Sequence, residues 1–141
     1  MAVLDDLAGY IDSSSTLFTL NTNLGKAVSL DAGTLANTFT VLYETPGLEG
    51  AQTFSTAANL TERVFDRPRV QAISRSTSYA TARSRAQTIY DLLDGLNSRG
   101  LPSTTGTQYL SITAVQPPFS LGRDSNDRYL VACNYQIERD R

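Results

Sequence analysis

The chain has 141 residues, of which 40% are hydrophobic and 18% charged, and a formal net charge of −2. This length predicts one domain, residues 1–141, whose core is large enough to need no disulfide or metal for stability. With no His and a single Cys, the composition excludes Ser-His-Asp or Cys-His catalysis, a Cys- or His-ligated zinc site and an intramolecular disulfide.

The charge balance and hydropathy further narrow the class of protein to which the chain could belong. The pI near 5.0 argues against a dedicated nucleic-acid-binding protein, because phosphate contacts require a basic surface. No apolar run approaches the roughly 18 residues needed to cross a membrane. We therefore expect a soluble intracellular domain with no catalytic residues, no cofactor and no metal.

The first predicted element is a helix at the start of the chain. Val3, Leu7 and Ile11 recur at helical spacing and form one apolar stripe. Asp5 and Asp6 lie in the first turn, where the helix dipole favours negative charge.

The next segment alternates between loop and strand. Residues 21–37 are rich in Asn, Gly, Ala and Thr and predict a loop, whereas the β-branched and aromatic residues 39–44 predict a strand. Thr-Pro-Gly at 45–47 predicts a turn, and 47–67 a second irregular loop. Short strands are further candidates at 17–20 and 27–30.

A strand and the longest helix follow. Pro68 precedes a predicted strand at 69–75, and Pro is tolerated at the start of a strand. Residues 78–97 predict a helix whose apolar stripe repeats at three- and four-residue steps, with Gly100 as its stop signal. The members of the stripe are Tyr79, Ala82, Ala86, Ile89, Leu93 and Leu96.

The C-terminal third predicts two strands, 108–115 and 129–138, separated by a polar turn at 119–128. The last strand alternates most clearly, so its register should be well determined. The expected fold is α+β, with a mainly antiparallel sheet of four strands, mixed pairing left open, and both helices packed on one face.

Two motifs that suggest chemistry have simpler structural explanations. Cys133 lies on the apolar side of the last predicted strand, which indicates a small buried core residue rather than a reactive thiol. Residues 124–127 resemble the start of a calcium loop, but Tyr129 stands where that loop needs Gly, so we predict a turn rich in Asp and Asn.

The charges of the long helix are distributed against its dipole. Arg83 and Arg85 lie towards its start, while Asp91 and Asp94 lie near its end. Simple solubility explains this pattern, and so does complementarity with a neighbouring subunit, because a positive and a negative end suit head-to-tail packing.

Several segments together resemble the tail terminator and minor capsid proteins of long-tailed bacteriophages, over roughly residues 2–12 and 39–140. The most specific parts are the Pro-x-x-Gln block with its following Arg and Tyr, and the later Leu-Gly-x-Asp turn. The segments lie at 43–47, 67–75, 78–82, 92–96, 109–112, 117–124 and 134–139.

This resemblance implies a structural virion protein at the head–tail junction, assembled in the host cytoplasm. Such proteins form a hexameric ring that caps the tail tube protein, ends tube polymerisation and meets a stopper protein of the head neck, while DNA passes through the channel without specific binding. Arg75, Arg123 and Asp124 join the four helix charges as candidate subunit-interface residues. Another neck component, a stopper or an adaptor, or a small α+β binding domain, is the alternative function.

Overall fold

The computed structural model describes residues 2–28, 30, 35–51 and 65–140. These residues form two helices and seven strands. In chain order the elements are α1 (Val3–Ser14), β1 (Leu24–Lys26), β2 (Phe39–Ala51), β3 (Phe65–Ser76), α2 (Tyr79–Leu93), β4 (Leu96–Leu101), β5 (Thr107–Ala114), β6 (Phe119–Arg123) and β7 (Tyr129–Asp140).

The strands form one mixed sheet. Its order is β1-β2-β3-β7-β5-β4, and β6 pairs with β7 beside this path. β1 runs parallel to β2, and every other pair is antiparallel. The α+β class is confirmed, but the sheet has more strands than the four that the sequence predicts.

Both helices cover the same face of this sheet. One core cluster contains residues of α1 and α2 together with residues of β2, β3, β5 and β7. The apolar stripe of α1 is buried as its spacing predicts. In β7, the alternating Val131, Cys133, Tyr135 and Ile137 are all buried.

The expected turn at 45–47 is wrong. β2 continues through these residues, and its pairing with β3 shifts register between Thr45 and Leu48. The shift places Pro46 and Gly47 in a bulge, where a missing ladder N–H is tolerated. A Cβ on Gly47 would lie 2.5 Å from the carbonyl oxygen of Arg67, so the close approach of β3 requires glycine. Of the predicted 47–67 loop, residues 52–64 lie outside the described residues.

The long helix ends earlier than predicted. α2 stops at Leu93, and Gly95 follows with a φ of +85°, so Gly95 rather than Gly100 serves as the glycine after the helix. Residues 96–101 then form β4, which pairs with β5. Leu96 fits both the helical stripe and a strand, which explains why periodicity alone extends the helix too far.

Two shorter predictions also need correction. A short strand after α1 lies at Leu24–Lys26, and Leu20 makes only an isolated bridge. Of the predicted 27–30 strand, residues 27, 28 and 30 are not in a strand and residue 29 lies outside the described residues. The predicted polar turn begins with β6, and the true turn is the tight 124–128 segment that joins β6 to β7.

Candidate subunit interface

Arg85 lies inside the protein and not on its surface. It is 5% exposed, and its guanidinium carbon lies 4.4 Å from the centre of the Phe18 ring. The guanidinium donates to the carbonyl oxygens of Leu17 at 3.1 Å and Asn23 at 2.9 Å, and to Oγ1 of Thr40 at 3.1 Å. Burial lowers its pKa to about 10. Arg85 therefore ties the segment after α1 to α2 and β2, and a surface role in an interface is not supported.

Arg75 is likewise an internal residue, although it lies on the opposite face of the sheet. It is 0% exposed and donates to three backbone carbonyls of the segment before β2. These acceptors are Asn37, at 3.3 Å, Leu30 and Ala36. Its burial within the subunit means that the structure gives no support to the expected interface role of Arg75.

Arg83 is half-buried and partly engaged. Its Nη1 donates to the carbonyl oxygen of Pro118 at 2.6 Å, which holds the start of β6 against α2. Arg83 and Arg85, which give α2 its predicted positive end, therefore make most of their contacts within the subunit.

The acidic end of α2 is exposed. Asp91 accepts from Nε2 of Gln87 at 3.0 Å within the helix, and Asp94 accepts from the backbone N–H of Ala114 at 2.8 Å. The negative charge of Asp94 is the main cause that raises the pKa of Tyr90. Both residues are exposed, and the hydrogen bond to Ala114 places Asp94 beside the end of β5.

Arg123 and Asp124 differ in accessibility. Arg123 is exposed at the end of β6, 3.8 Å from the carboxylate of Asp127. Asp124 accepts from the backbone of Asn126 and from both the backbone and Nε of Arg128, which confirms the predicted turn. Burial raises the pKa of Asp124, but these hydrogen bonds outweigh it and leave the pKa below its usual value. Asp124 therefore shapes the turn.

Sequence analysis missed an aromatic cluster beside Arg123. The rings of Tyr79 and Tyr129 meet edge to face with 5.6 Å between their centres, and Arg123 lies 5.3 Å above the Tyr129 ring. Leu121 is exposed on the same strand as Arg123. The helical stripe assigns Tyr79 to the core, and no local signal brings it next to a residue fifty positions away, because only the packing of α2 on β7 does so.

Few of the described residues could take part in catalysis or ligand binding. Cys133 is buried as predicted, its thiol donates to the carbonyl of Gln116 at 3.1 Å, and burial is the main cause that raises its pKa. The groove between β2, β3 and α1 has a volume of about 380 Å³ and is lined by both arginines and carboxylates. Among the described residues, no cluster of His, Cys, Asp or Glu could hold a metal ion, and no helix is long and apolar enough to span a membrane.

Comparison with known proteins decides the family. Residues 53–141, more than half of the chain, match the family described as bacteriophage tail terminator protein. The chain belongs to the tail terminator family. The resemblance found from the sequence segments is thereby confirmed, and the protein is a structural component of the phage virion, located in the tail.

Structural comparison gives a consistent fold. A chain in a solved structure described as "Virion of native gene transfer agent (GTA) particle" has a TM-score of 0.52 and 18% sequence identity. The alignment covers 100% of this chain and 87% of that chain. No curated protein matches the sequence.

Proposed function

We propose that this protein caps the phage tail tube as a hexameric ring, ends tube polymerisation and forms the joint to the head neck. The observation that carries this proposal is the family match over residues 53–141. Its partners are further copies of itself, the tail tube protein and a stopper protein of the neck. It assembles in the host cytoplasm and acts at the head–tail junction.

Charge and exposure at the surface support an assembly role. Asp91 and Asp94 are exposed at one end of α2, while Arg123 is exposed near the other end. Separated charges of opposite sign favour repeated contacts between identical subunits. We keep these three residues, together with Arg83, as interface candidates.

The overall charge supports the passage of DNA through such a ring without specific binding. A net charge of −2 gives the subunit no excess of cations to hold phosphates. A channel wall that is continuously lined by arginine in the assembled ring would contradict this part of the proposal.

The function is tested with tail tubes that are assembled in the absence of heads. Purified protein is added while tubes elongate, and tube length and tube ends are recorded by negative-stain microscopy. We expect elongation to stop and ring-shaped density to appear at one end. Tubes that elongate unchanged would overturn the proposal, and binding to neck complexes without any effect on tubes would indicate a stopper or an adaptor instead.

A further inference from the structure

The two ends of α2 carry surface patches of opposite character. The basic aromatic patch is built from the contacting residues Tyr79, Tyr129 and Arg123, together with the exposed Leu121 two positions before Arg123 on β6. Tyr79 and Leu121 are 44% and 46% exposed, although large apolar side chains are usually covered in a monomer. The patch is preformed, because the Tyr79–Tyr129 edge-to-face contact and the Arg123–Tyr129 contact fix the rings and the guanidinium together.

Arg123 remains available to a partner. Its ion pair with Asp127 spans 3.8 Å between two exposed side chains. Exposed pairs of this kind contribute little to stability, so a better-placed carboxylate can replace Asp127.

The acidic patch lies at the other end of α2 and consists of Asp91, Asp94 and Val115. Val115 is the most exposed of the large hydrophobic residues described, at 57%. It follows Ala114, whose N–H binds the carboxylate of Asp94, so Val115 lies one residue from the position that holds this carboxylate. The patch thus offers one apolar contact flanked by negative charge.

Each patch complements the other and repels a copy of itself. Arg123 would meet a carboxylate, and Leu121 and Tyr79 would cover Val115, whereas two copies of the same patch would bring like charges together. Tyr79 and Asp91 are separated by about 18 Å along the helix at 1.5 Å per residue, so both patches can be occupied at once by different neighbours.

Building on the ring proposed above, we propose that the basic aromatic patch of one subunit binds the acidic patch of the next subunit. Tyr and Arg are the residue types that most often dominate binding at interfaces, which makes this contact a centre of the subunit interface. The occupant of each patch is therefore a second copy of this chain.

Exchange of charges tests the contact. Arg123→Glu and Asp91→Arg should each weaken ring formation by about tenfold or more, because each places like charges opposite one another. The double variant Arg123→Glu/Asp91→Arg restores opposite charges at every contact and should recover most of the loss. Rings are counted on tube ends by microscopy over a range of protein concentrations.

Matched controls use exposed charges elsewhere. Arg99→Glu and Asp12→Arg change charge by the same amount outside both patches and should leave ring formation unchanged. Circular dichroism of every variant separates loss of assembly from loss of fold. Single variants that cap tubes as wild type does, or a double variant that is no better than the single ones, would overturn the inference while the capping function stands.

A cross-link locates the contact directly. The native Cys133 is buried, so cysteines placed by Leu121→Cys and Val115→Cys are the reactive ones. With a short bis-maleimide, the double cysteine variant Leu121→Cys/Val115→Cys should give a ladder of oligomers on tube ends. Neither single cysteine variant should give this ladder. A product that stops at the dimer would show a closed two-fold pair and overturn the head-to-tail arrangement. Failure of wild-type protein to cap tubes would instead overturn the proposed function, on which the inference rests.

Discussion

The hydroxyl of Tyr109 donates a 2.7 Å hydrogen bond to Oδ2 of Asp6, although the two residues are 103 positions apart. Nη1 of Arg139 lies 3.6 Å from the same carboxylate oxygen and donates to the Tyr109 hydroxyl at 3.4 Å. Asp6 is 1% exposed, and these partners compensate for the burial of its Oδ2 atom. The contact joins the first helix to strands β5 and β7.

Tyr109→Phe should lower the free energy of unfolding by about 1–3 kcal/mol, because it removes a donor from a buried carboxylate. Urea unfolding followed by circular dichroism measures the change. Tyr79→Phe is the control, since Tyr79 is exposed, and it should have little effect. Equal effects of the two substitutions would contradict the role of the Tyr109 hydroxyl.

Arg85→Lys should lower the free energy of unfolding by about 2–4 kcal/mol. A lysine ammonium lacks the planar fork that lets Arg85 reach Leu17, Asn23 and Thr40 together, and each lost hydrogen bond to a charged group costs about 1.5–3 kcal/mol. Arg83→Lys is the matched control with a smaller expected loss, since Arg83 donates to a single described carbonyl.

The burial of Arg85 changes how a charge-reversal experiment on α2 must be designed. Arg83→Glu with Arg85→Glu, the variant that the charge pattern of the sequence suggests, places a carboxylate among buried carbonyl oxygens. We expect this double variant to unfold, so it reports on the fold and not on assembly. Thermal unfolding decides between these outcomes, and a wild-type melting temperature would contradict the buried role of Arg85.

Stability should fall at alkaline pH. Burial is the main cause that raises the pKa of Tyr109, Tyr135 and Cys133 in the folded protein. These groups stay protonated when folded but lose their protons in the unfolded chain above about pH 8.5 for Cys and about pH 10 for Tyr. Their contribution is thus complete below those values and declines above them by at most about 1.4 kcal/mol per pH unit for each group, until the pH reaches the pKa of that group in the folded protein.

Urea unfolding at a series of pH values from about 8 to about 11 measures this decline. Cys133→Ala is a useful control, because it should remove the decline that begins near the thiol pKa and leave the part due to the tyrosines. A free energy of unfolding that does not change across this range would contradict the prediction.

Leu93→Ala should lower the free energy of unfolding by about 2–5 kcal/mol through the cavity it leaves in the core. Leu93 is 0% exposed at the end of α2. Leu17→Ala removes the same atoms from a side chain that is 47% exposed and should cost far less. Similar decreases in the free energy of unfolding for the two variants would show that burial of the leucine does not determine the loss of stability.

The elements that sequence reasoning places correctly are those with a regular pattern of their own. The stripe of Val3, Leu7 and Ile11 predicts α1, and the alternation through Cys133 and Tyr135 predicts β7 and the buried thiol. Such patterns reflect a local period matched to one buried face, so no knowledge of the partner element is needed.

The strands that sequence reasoning misses are short or lack a buried stripe. β1 has three residues, β6 exposes most of its side chains, and β4 begins in phase with the helix that precedes it. Each exists because a longer strand beside it offers backbone partners, and pairing of this kind leaves no periodic signal in the shorter strand.

The family and the broad α+β class follow from the sequence by itself, since they depend on composition, on element order and on motifs that are contiguous in the chain. The roles of individual charged residues do not follow from the sequence. Arg85, Arg83 and Arg123 have the same side chain, yet one is internal, one is half-buried and one is exposed. Tertiary structure alone decides this, because the accessibility of a guanidinium depends on which carbonyls and rings the fold brings within a few ångströms of it, and those groups come from distant parts of the chain.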